Sequence, residues 1–310
     1  MRDTHARDGR RAGAHTAARR DPLRRLGTRL LTYREGLATS AGVLLGEEIV
    51  ASAELGEPAA SAGELLRRLG IDGVRALQEG ASAANRRTPL EGVPLAPPVT
   101  DPEKIICLGL NYSDHAAESG QEPPQSPLWF AKFANSLIGS GDEIVLPAAH
   151  PEYVDYEAEL ALVIGREAHR VRAEDALSHV AGVMPFNDVS ARDLQLQNPL
   201  WTSGKAIDTF APCGPALVSL DEVPDIQDLT LRTRVNGEVL QQGSTSRQIF
   251  GAAETVAWLS RTITLRPGDI IATGTPAGVG AAQGRFLRAA DLVEVEVEGL
   301  GIVGNGVRAE

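Results

Sequence analysis

The sequence is poor in cysteine, in basic charge and in long apolar runs, and each shortage excludes a class of protein. Its two cysteines, Cys107 and Cys213, are too few for a disulfide framework, and neither their spacing nor their neighbours indicate a metal or redox motif. We expect both to be small buried residues in a reducing compartment, the cytoplasm. No run of apolar residues is long enough to cross a bilayer, so no membrane partner is expected.

Basic residues are outnumbered, since 30 Lys and Arg stand against 41 Asp and Glu and give a net charge of −11. A surface of this charge argues against nucleic-acid binding. A small acidic substrate must therefore be held by a local positive site that works against the overall field. The hydrophobic content of 43% is enough to bury a full core, so the chain is expected to be globular.

Residues 1–25 differ from the rest, because they are dense in arginine, poor in large apolar residues and lack the apolar segment of a signal peptide. Some transit peptides share this arginine content, but three aspartates and the lack of serine lead us to interpret the segment as a disordered extension. Residues 26–100 show short strands and helical segments and are predicted to form a small N-terminal α/β domain without visible chemistry. Residues 101–310 are predicted to form the catalytic domain.

Periodicity in the larger part of the chain indicates a β-rich α+β fold. An alternating segment at 231–246 contains Asn236-Gly237, a pair that closes two-residue hairpins. Helices are predicted at 173–180 and 250–260. In the closing segment, valines at 293, 295 and 297 alternate with glutamates, which is typical of a strand with one buried and one solvated face.

Three carboxylates lie in two strand-like segments. Side chains of an extended segment alternate between faces, so Glu157 and Glu159 point the same way and one cation could sit between them. Two acids at this spacing usually mark a solvated face, but here a buried-strand pattern follows at 160–164, where unpaired carboxylates would be expensive. Asp188, at the end of a second apolar segment, offers a third oxygen. Such ligands suit Mg²⁺ or Mn²⁺, with Ca²⁺ possible, better than zinc.

A histidine and a glutamate follow the first apolar strand of the predicted catalytic domain. On a helix His115 and Glu118 are i, i+3 neighbours, so the carboxylate can orient or polarise the imidazole. The alternative is an exposed helix start at which His115 only faces water.

Several donors follow the metal-binding candidates. Arg192 and Lys205 can supply donors for a substrate carboxylate or a developing oxyanion, and Gln195 can donate to a keto oxygen. Alternatively, Arg192 pairs with Asp193 or another nearby acid as a structural ion pair. Lys132 is a candidate only for contact with a substrate carboxylate, and the loop before it could close over substrate as a lid.

The run PGDIIATGTPAGVG (267–280) ends a β-branched strand in a glycine-rich loop. Its backbone amides and the Thr275 hydroxyl can approach a ligand oxygen closely. A loop of this kind is usually only a turn, and this one lacks the Lys-Ser/Thr ending of a phosphate-binding loop.

Five separated segments occur in the order seen in the fumarylacetoacetate hydrolase (FAH) family, which the chain resembles over about two thirds of its length, residues 104–305. The segments are KIICLGLNYSDHAAE (104–118), DYEAEL (155–160), NDVSARDLQ (187–195), GKAIDTFAPCGP (204–215) and PGDIIATGTPAGVG (267–280). The resemblance implies the family's mixed β-sandwich roll and a homodimer.

The resemblance also implies roles for individual residues. His115 and Glu118 correspond to the pair that activates an attacking water, Lys205 lies by the metal, Gln195 lies near the substrate, and Thr275 becomes a site residue. The long eukaryotic members have a further metal-ligating aspartate seven residues before the histidine. Here that position is Leu108, so three carboxylates plus water are expected around the ion.

The leading hypothesis is a Mg²⁺-dependent hydrolase that cleaves a carbon–carbon bond in a β-diketo acid of the acylpyruvate or fumarylacetoacetate type. The alternative is a metal-dependent decarboxylase or isomerase of oxaloacetate- or 2-hydroxymuconate-type acids in aromatic catabolism, which needs the metal enolate but no attacking water. A non-catalytic binding protein would be signalled by loss of an acid or of the histidine, and neither is lost.

Overall fold

The structure is a computed structural model that describes residues 29–197 and 199–310. The predicted disordered extension at 1–25 lies outside the described residues. The strands are β1 (Arg29–Glu35), β2 (Ala38–Leu45), β3 (Glu48–Ala51), β4 (Thr88–Pro89), β5 (Leu95–Ala96), β6 (Ile105–Gly109), β7 (Leu128–Lys132), β8 (Leu137–Ile138), β9 (Glu143–Leu146), β10 (Val154–Asp155), β11 (Ala158–Ile164), β12 (Val180–Asn187), β13 (Ser190–Ala191), β14 (Ala211–Pro212), β15 (Leu217–Ser219), β16 (Thr230–Val235), β17 (Glu238–Ser244), β18 (Ile270–Ala272), β19 (Leu292–Val297) and β20 (Gly301–Ala309).

Helices are fewer and mostly short. They are α1 (Ala62–Ala81), α2 (Ser113–Glu118), α3 (Ala173–Ala176), α4 (Arg192–Leu196), α5 (Thr202–Lys205), α6 (Ala252–Leu259) and α7 (Gly280–Gln283), with 3₁₀ turns at Ser52–Leu55, Ala134–Ser136, Leu177–His179, Leu220–Glu222 and Thr245–Arg247. Among the described residues, no helix combines the length and the apolar character that a membrane crossing requires.

Two large mixed sheets form the body of the molecule, which confirms the mainly β, α+β fold class. The first has the strand order β4-β3-β2-β1-β15-β12-β11-β18-β6-β7, with β5 added on β1, and the second has the order β17-β16-β19-β20-β9. Two small two-stranded pairs, β10 with β13 and β8 with β14, are separate from these sheets.

Side chains of β11 alternate between two cores, as the strand period requires. Leu160, Leu162 and Ile164 lie in a core that the first sheet shares with valines of the second sheet and with α6. Ala161 and Val163 lie in a core on the other face, which α1 covers. Both faces of β11 are therefore buried, which explains the continuous apolar run of its sequence.

Local predictions can be compared with these elements. The Asn236-Gly237 hairpin is confirmed, because β16 and β17 pair around it and both turn residues have positive φ, 52° and 80°. The helix predicted at 250–260 corresponds to α6. The helix predicted at 173–180 corresponds to α3 followed by a 3₁₀ turn. The alternation in the closing segment is confirmed in β19, whose valines are buried.

Four neighbouring strands of the first sheet, β12, β11, β18 and β6, have termini at the same end of the sheet, and these termini position the candidate site. Glu157 precedes β11 and Asp188 follows β12, and the two strands pair antiparallel with Ala158 opposite Asn187. On the other side of β11, β18 ends at the glycine-rich loop, and parallel β6 ends just before α2, which carries His115. Sheet pairing thus collects segments that are far apart in sequence.

Candidate active site

The three carboxylates of the predicted metal site lie together and are buried. Glu157, Glu159 and Asp188 each offer an oxygen within 4.8 Å of the others, and their exposed fractions are 6%, 0% and 0%. The Asp188 amide donates to the Glu157 carbonyl at 3.0 Å, so the backbone fixes the spacing between them.

Two lysines partly neutralise this cluster. The Lys205 ammonium donates to Glu157 Oε2 and to Asp188 Oδ2, both at 2.8 Å, and it lies 5.0 Å from the centre of the Phe130 ring. Lys132 donates to Asp188 Oδ1 and to the Val189 carbonyl. Burial opposes the charge of Glu157, but Lys205 and Arg192 outweigh it and lower the pKa of Glu157 to about 2.

This geometry corrects one expectation. Lys132 was a candidate for contact with a substrate carboxylate, but its ammonium is fully buried and bound to Asp188. Burial lowers the pKa of Lys132, which the neighbouring Asp188 partly offsets. Lys132 therefore binds Asp188 inside the buried cluster and does not line the cavity.

Glu159 is the carboxylate that the protein leaves least compensated. Its Oε2 accepts from the Gly274 amide at 2.8 Å, while its Oε1 is buried without any hydrogen-bond partner among the described residues. Burial, reinforced by Asp188 and Glu157, raises the pKa of Glu159 well above its ordinary value. An orphaned oxygen beside two further carboxylates fits a hard divalent cation, because such an ion takes oxygen ligands and removes the repulsion.

Charge counting supports the same fit. In their ionised forms, four carboxylates face three cations in this buried network, which leaves a net charge of −1. The members are Asp155, Glu157, Glu159, Asp188, Lys132, Arg192 and Lys205. A divalent ion would make the network positive, which suits an acidic substrate in a chain whose overall charge is −11.

His115 and Glu118 lie side by side on α2. His115 Nδ1 is 3.3 Å from Glu118 Oε2, and the Gly278 amide donates to Glu118 Oε1 at 2.9 Å. A neutral imidazole that donates its Nδ1–H to this carboxylate carries its lone pair on Nε2. Both side chains are part-buried, with 13% and 21% exposed. The pair therefore has the geometry of an oriented imidazole base.

The glycine-rich loop behaves differently from the expectation that its amides approach a ligand. Its amides bind carboxylates of the protein: Gly274 binds Glu159, Gly278 binds Glu118, and Gly280 with Ala281 binds Asp155. The loop amides thus hold acids from two other segments, DYEAEL (155–160) and α2.

Thr275 lies in this loop with its hydroxyl already engaged. The hydroxyl donates to the Ala158 carbonyl at 2.9 Å and accepts from Gln241 Nε2 at 2.7 Å. Thr275 lines the cavity, but only a remaining lone pair is open to a ligand, which must then be the donor.

Arg192 and Gln195 reach the cavity from α4. Arg192 pairs with Asp155 at 2.7 Å and with Glu157 at 2.6 Å, not with the adjacent Asp193, whose partner is His150. Burial opposes the guanidinium charge of Arg192, but Asp155 and Glu157 raise its pKa. Arg192 also donates to Gln195 Oε1 at 3.0 Å, so the amide nitrogen of Gln195 is the group left for a ligand.

Sequence reasoning missed three residues that hold the site together. Asp155 is fully buried and accepts hydrogen bonds from Arg192 and from the Gly280 amide, so it links Arg192 to the glycine-rich loop. Gln241 ties that loop to β11 through the Ala158 amide, and Asn111 binds the Phe250 and Thr273 carbonyls. Asp155 was visible as the first acid of DYEAEL, whereas nothing in the sequence around Gln241 distinguished it from an ordinary strand residue.

These side chains face one cavity of about 320 Å³. Of the predicted site residues, Glu159, Asp188 and Lys132 belong to the buried cluster and do not line the cavity, whereas all the others line it directly. The lining residues are Leu108, Gly109, Leu110, His115, Glu118, Ser119, Gln121, Phe130, Glu157, Arg192, Gln195, Leu196, Trp201, Lys205, Thr275, Val279, Ala281 and Ala282. The structure thus joins an acid cluster, an imidazole pair and several donors in a single pocket.

Known proteins resemble this chain in both sequence and fold. The chain is 46% identical over 223 residues, 71% of each protein, to the human oxaloacetate tautomerase FAHD2A, which is named as mitochondrial. A solved 2-hydroxyhepta-2,4-diene-1,7-dioate isomerase from Mycobacterium marinum superposes with a TM-score of 0.73 at 33% identity, covering 91% of this chain and 99% of that one. A maleylpyruvate hydrolase from Sphingobium sp. SYK-6 gives 0.77 at 31%, covering 91% and 100%.

Family membership follows from the extent of the match. Residues 104–308 match the family described as fumarylacetoacetate (FAA) hydrolase C-terminal, and this range contains every residue of the candidate site. Because this match covers more than half of the chain, and relatives with tautomerase and isomerase names are more than 30% identical to it, the chain belongs to the fumarylacetoacetate hydrolase family of enzymes.

Proposed function

We propose that this chain is a divalent-metal-dependent isomerase that interconverts enol and keto forms of 2-oxo acids of the oxaloacetate or 2-hydroxymuconate type. The observation that carries the proposal is the unpartnered, buried Oε1 of Glu159 within the three-carboxylate cluster that borders the His115 cavity. The names of the human tautomerase and of the mycobacterial isomerase favour this reaction over the hydrolysis expected from the sequence.

Glu157, Glu159 and Asp188 would hold the ion, for which Mg²⁺ or Mn²⁺ is the best match to three carboxylates. When bound, such an ion supplies positive charge that stabilises an enolate oxygen. The carbon acid next to the keto group then needs only a base to move one proton.

His115 is the base of this proposal. Its Nε2 lone pair is free to accept the proton from carbon or to return it, while Glu118 stabilises the imidazolium that forms. Arg192 and the Gln195 amide supply donors for the carboxylate and keto oxygens at the same end of the cavity. Lys205 holds Glu157 and Asp188 in place from the cavity side.

Hydrolysis of a β-diketo acid is the second candidate, because the His115–Glu118 pair at 3.3 Å could equally activate a water. One structural relative carries the name of a hydrolase. Decarboxylation of oxaloacetate-like acids would use the same enolate without a base. The three reactions therefore differ in what His115 must do.

A single variant separates these reactions. Enol loss from oxaloacetate and from a hydroxymuconate-type acid, acylpyruvate cleavage, and carbon dioxide release are measured with Mg²⁺ for the parent and for His115→Gln. We expect enol-to-keto conversion to dominate in the parent and to fall by about 10²–10⁴-fold in the variant, the usual contribution of a positioned base. Decarboxylation should fall much less, since no base is needed.

The matched control is His179→Gln, because the His179 ring lies outside the cavity and bonds the Glu167 carbonyl. It should keep the parental rates. An unchanged tautomerisation rate in the His115 variant would refute the base assignment, and a parent that cleaves acylpyruvates much faster than it ketonises enols would favour the hydrolase.

We also propose that the enzyme is a homodimer in the cytoplasm. The edge strand β7 and the residue after it expose apolar side chains, Leu128 at 42% and Phe133 at 57%, which fits coverage by a second copy. Two free, buried cysteines fit a reducing compartment.

A further inference from the structure

A second cavity, of about 180 Å³, shares no lining residue with the active-site cavity. Its walls come from the β16–β17 hairpin, from residues 285–291 and from Tyr156. In sequence Tyr156 stands between Asp155 and Glu157, which both pair with Arg192. The Tyr156 side chain instead lines the second cavity, as the alternation of an extended segment predicts. The two cavities therefore lie on opposite faces of one segment.

The Tyr156 hydroxyl is a hydrogen-bond donor that lacks an acceptor. Tyr156 is 1% exposed, and in the part of the chain that the structure describes its hydroxyl oxygen is buried without any hydrogen-bond partner. An unpaired buried hydroxyl destabilises a folded chain. A ligand oxygen that accepts from this hydroxyl would recover the loss.

Arg288 adds positive charge to the same cavity. Its guanidinium has no acid partner within residues 29–197 and 199–310, whereas Arg285 pairs with Glu238 at 2.8 Å. The acid of the lining, Asp291, is already engaged, because it accepts from Asn236 Nδ2 at 2.8 Å and from the Arg288 amide at 2.7 Å. The groups left for a ligand are thus a hydroxyl donor and a guanidinium, which together suit an anion.

The remaining lining is apolar and limits the size of the ligand. Val235 and Leu287 are buried, and Leu240 and Phe286 are half-buried. The volume lies below the roughly 300–1,000 Å³ of sites for drug-sized ligands, so only a few carbon atoms fit. A carboxylate with a short alkyl tail matches both the donors and the apolar wall.

Backbone hydrogen bonds hold the arginine-bearing segment in place. The Leu287 amide donates to the Val154 carbonyl of β10 at 2.8 Å, and the Arg285 amide donates to the Gly280 carbonyl at 2.9 Å. The Gly280 amide in turn donates to Asp155 at 2.7 Å. The cavity is therefore preformed, which reduces the ordering that a ligand must cause.

We propose that this second cavity is a binding site for a short aliphatic monocarboxylate. Its carboxylate accepts from the Tyr156 hydroxyl and from the Arg288 guanidinium, and its alkyl tail contacts Val235 and Leu287. The site is separate from the proposed reaction, because it contains none of the groups assigned to the active site.

Calorimetric titration of the full chain with sodium butyrate, with Mg²⁺ present and at constant ionic strength, tests the site. The parent should bind butyrate saturably. Tyr156→Phe and Arg288→Gln should each raise Kd by about 10–100-fold, the range for a lost hydrogen bond to a charged group. Tyr156→Phe removes only the unpaired oxygen atom, so it should melt no lower than the parent.

Two matched controls remove the same groups elsewhere. Tyr33→Phe deletes a tyrosine hydroxyl on β1, and Arg261→Gln deletes an exposed arginine, both outside the second cavity. Each should keep the parental Kd. His115→Gln should also bind butyrate like the parent, so the failure of the proposed function and the failure of this site are distinguishable.

Butanol and inorganic phosphate test the two halves of the ligand. Butanol lacks the charge and phosphate lacks the apolar tail, so each should bind at least about 10-fold more weakly than butyrate. Phosphate that binds more tightly than butyrate would overturn the assignment of a carboxylate. Absence of saturable butyrate binding in the parent, or an unchanged Kd in both Tyr156→Phe and Arg288→Gln, would show that the cavity holds only water.

Discussion

Glu159 differs from the other two carboxylates of the cluster, because both contacts of the Lys205 ammonium go to Glu157 and Asp188. Without a cation, burial and the charges of Asp188 and Glu157 disfavour the ionised form of Glu159 and raise its pKa, so this site is unfavourable for the folded chain. The Glu-x-Glu spacing and the apolar run after it were enough to predict that these acids share one site. They could not reveal which acid lacks a partner, because Lys205 comes from a segment 48 residues away.

Replacing Glu159 by glutamine should therefore separate stability from metal binding. The amide can keep the Gly274 contact and place a donor between the remaining carboxylates, so the free energy of unfolding without metal should stay equal or rise. The parent should gain about 2.7 kcal/mol at a Mg²⁺ concentration of 100 times Kd, and Glu159→Gln should gain nothing. Urea unfolding with and without MgCl₂ measures both quantities.

Glu157→Gln and Asp188→Asn should also lose the gain from Mg²⁺, but each leaves Lys205 with a lost partner and should cost about 3–5 kcal/mol without metal. The exposed Glu238→Gln serves as the control that keeps the parental response. A full Mg²⁺ response in Glu159→Gln would exclude Glu159 as a ligand.

At the scale of elements, the strands and the loop after β18 were predictable to different degrees. Period-two alternation and the Asn-Gly pair are local signals, so the hairpin and the closing strand follow directly from the sequence. The partners of the loop amides are not local. Gly274 binds Glu159 across 115 residues and Gly280 binds Asp155 across 125, so only sheet pairing brings each amide to its acid.

Gly280 gives the clearest test of this cradle. An added Cβ would lie 2.5 Å from Asp155 Oδ1 and overlap the Arg285 carbonyl, so Gly280→Ala must displace Asp155 or the loop from their present positions. We expect a loss of about 1–3 kcal/mol in the free energy of unfolding, typical of overpacking, together with reduced turnover.

The control for that prediction is Gly80→Ala in α1, where no atom lies within 4 Å of the added Cβ. It should stabilise the chain by about 0.5–1 kcal/mol, because alanine is the better helix former. Equal unfolding curves for the two variants would mean that the loop tolerates a side chain and does not act as a rigid cradle.

At the scale of the whole molecule, strands on both sides of the domain boundary predicted at residue 100 belong to one sheet. Strand β1 pairs with β15, with Leu30 opposite Leu217, and α1 buries Leu65 and Leu66 in the core that also contains Cys107 of β6. The sequence predicted a boundary here because a proline-containing connection, PLEGVPLAPPVTDPEK (89–104), joins the two parts. The sequence could not show that β1 to β5 belong to the first sheet, since the pairing of β1 with β15 joins residues nearly 190 positions apart.

Two truncations test how the parts depend on each other. A chain that starts at Gly27 keeps β1, whose Arg29 pairs with Glu222 at 3.0 Å, and its free energy of unfolding should lie within about 1–2 kcal/mol of the parent's while turnover is retained.

A chain that starts at Asp101 loses β1 to β5 and α1. Removing Leu65 and Leu66 alone forfeits about 1.5–3 kcal/mol of burial each and exposes the apolar face beneath them. Because typical folds are stable by only about 5–15 kcal/mol, this chain should show no cooperative transition in urea. A cooperative transition with retained turnover would show that residues 101–310 form an independent domain, and a large loss on starting at Gly27 would show that the arginine-rich segment stabilises the fold.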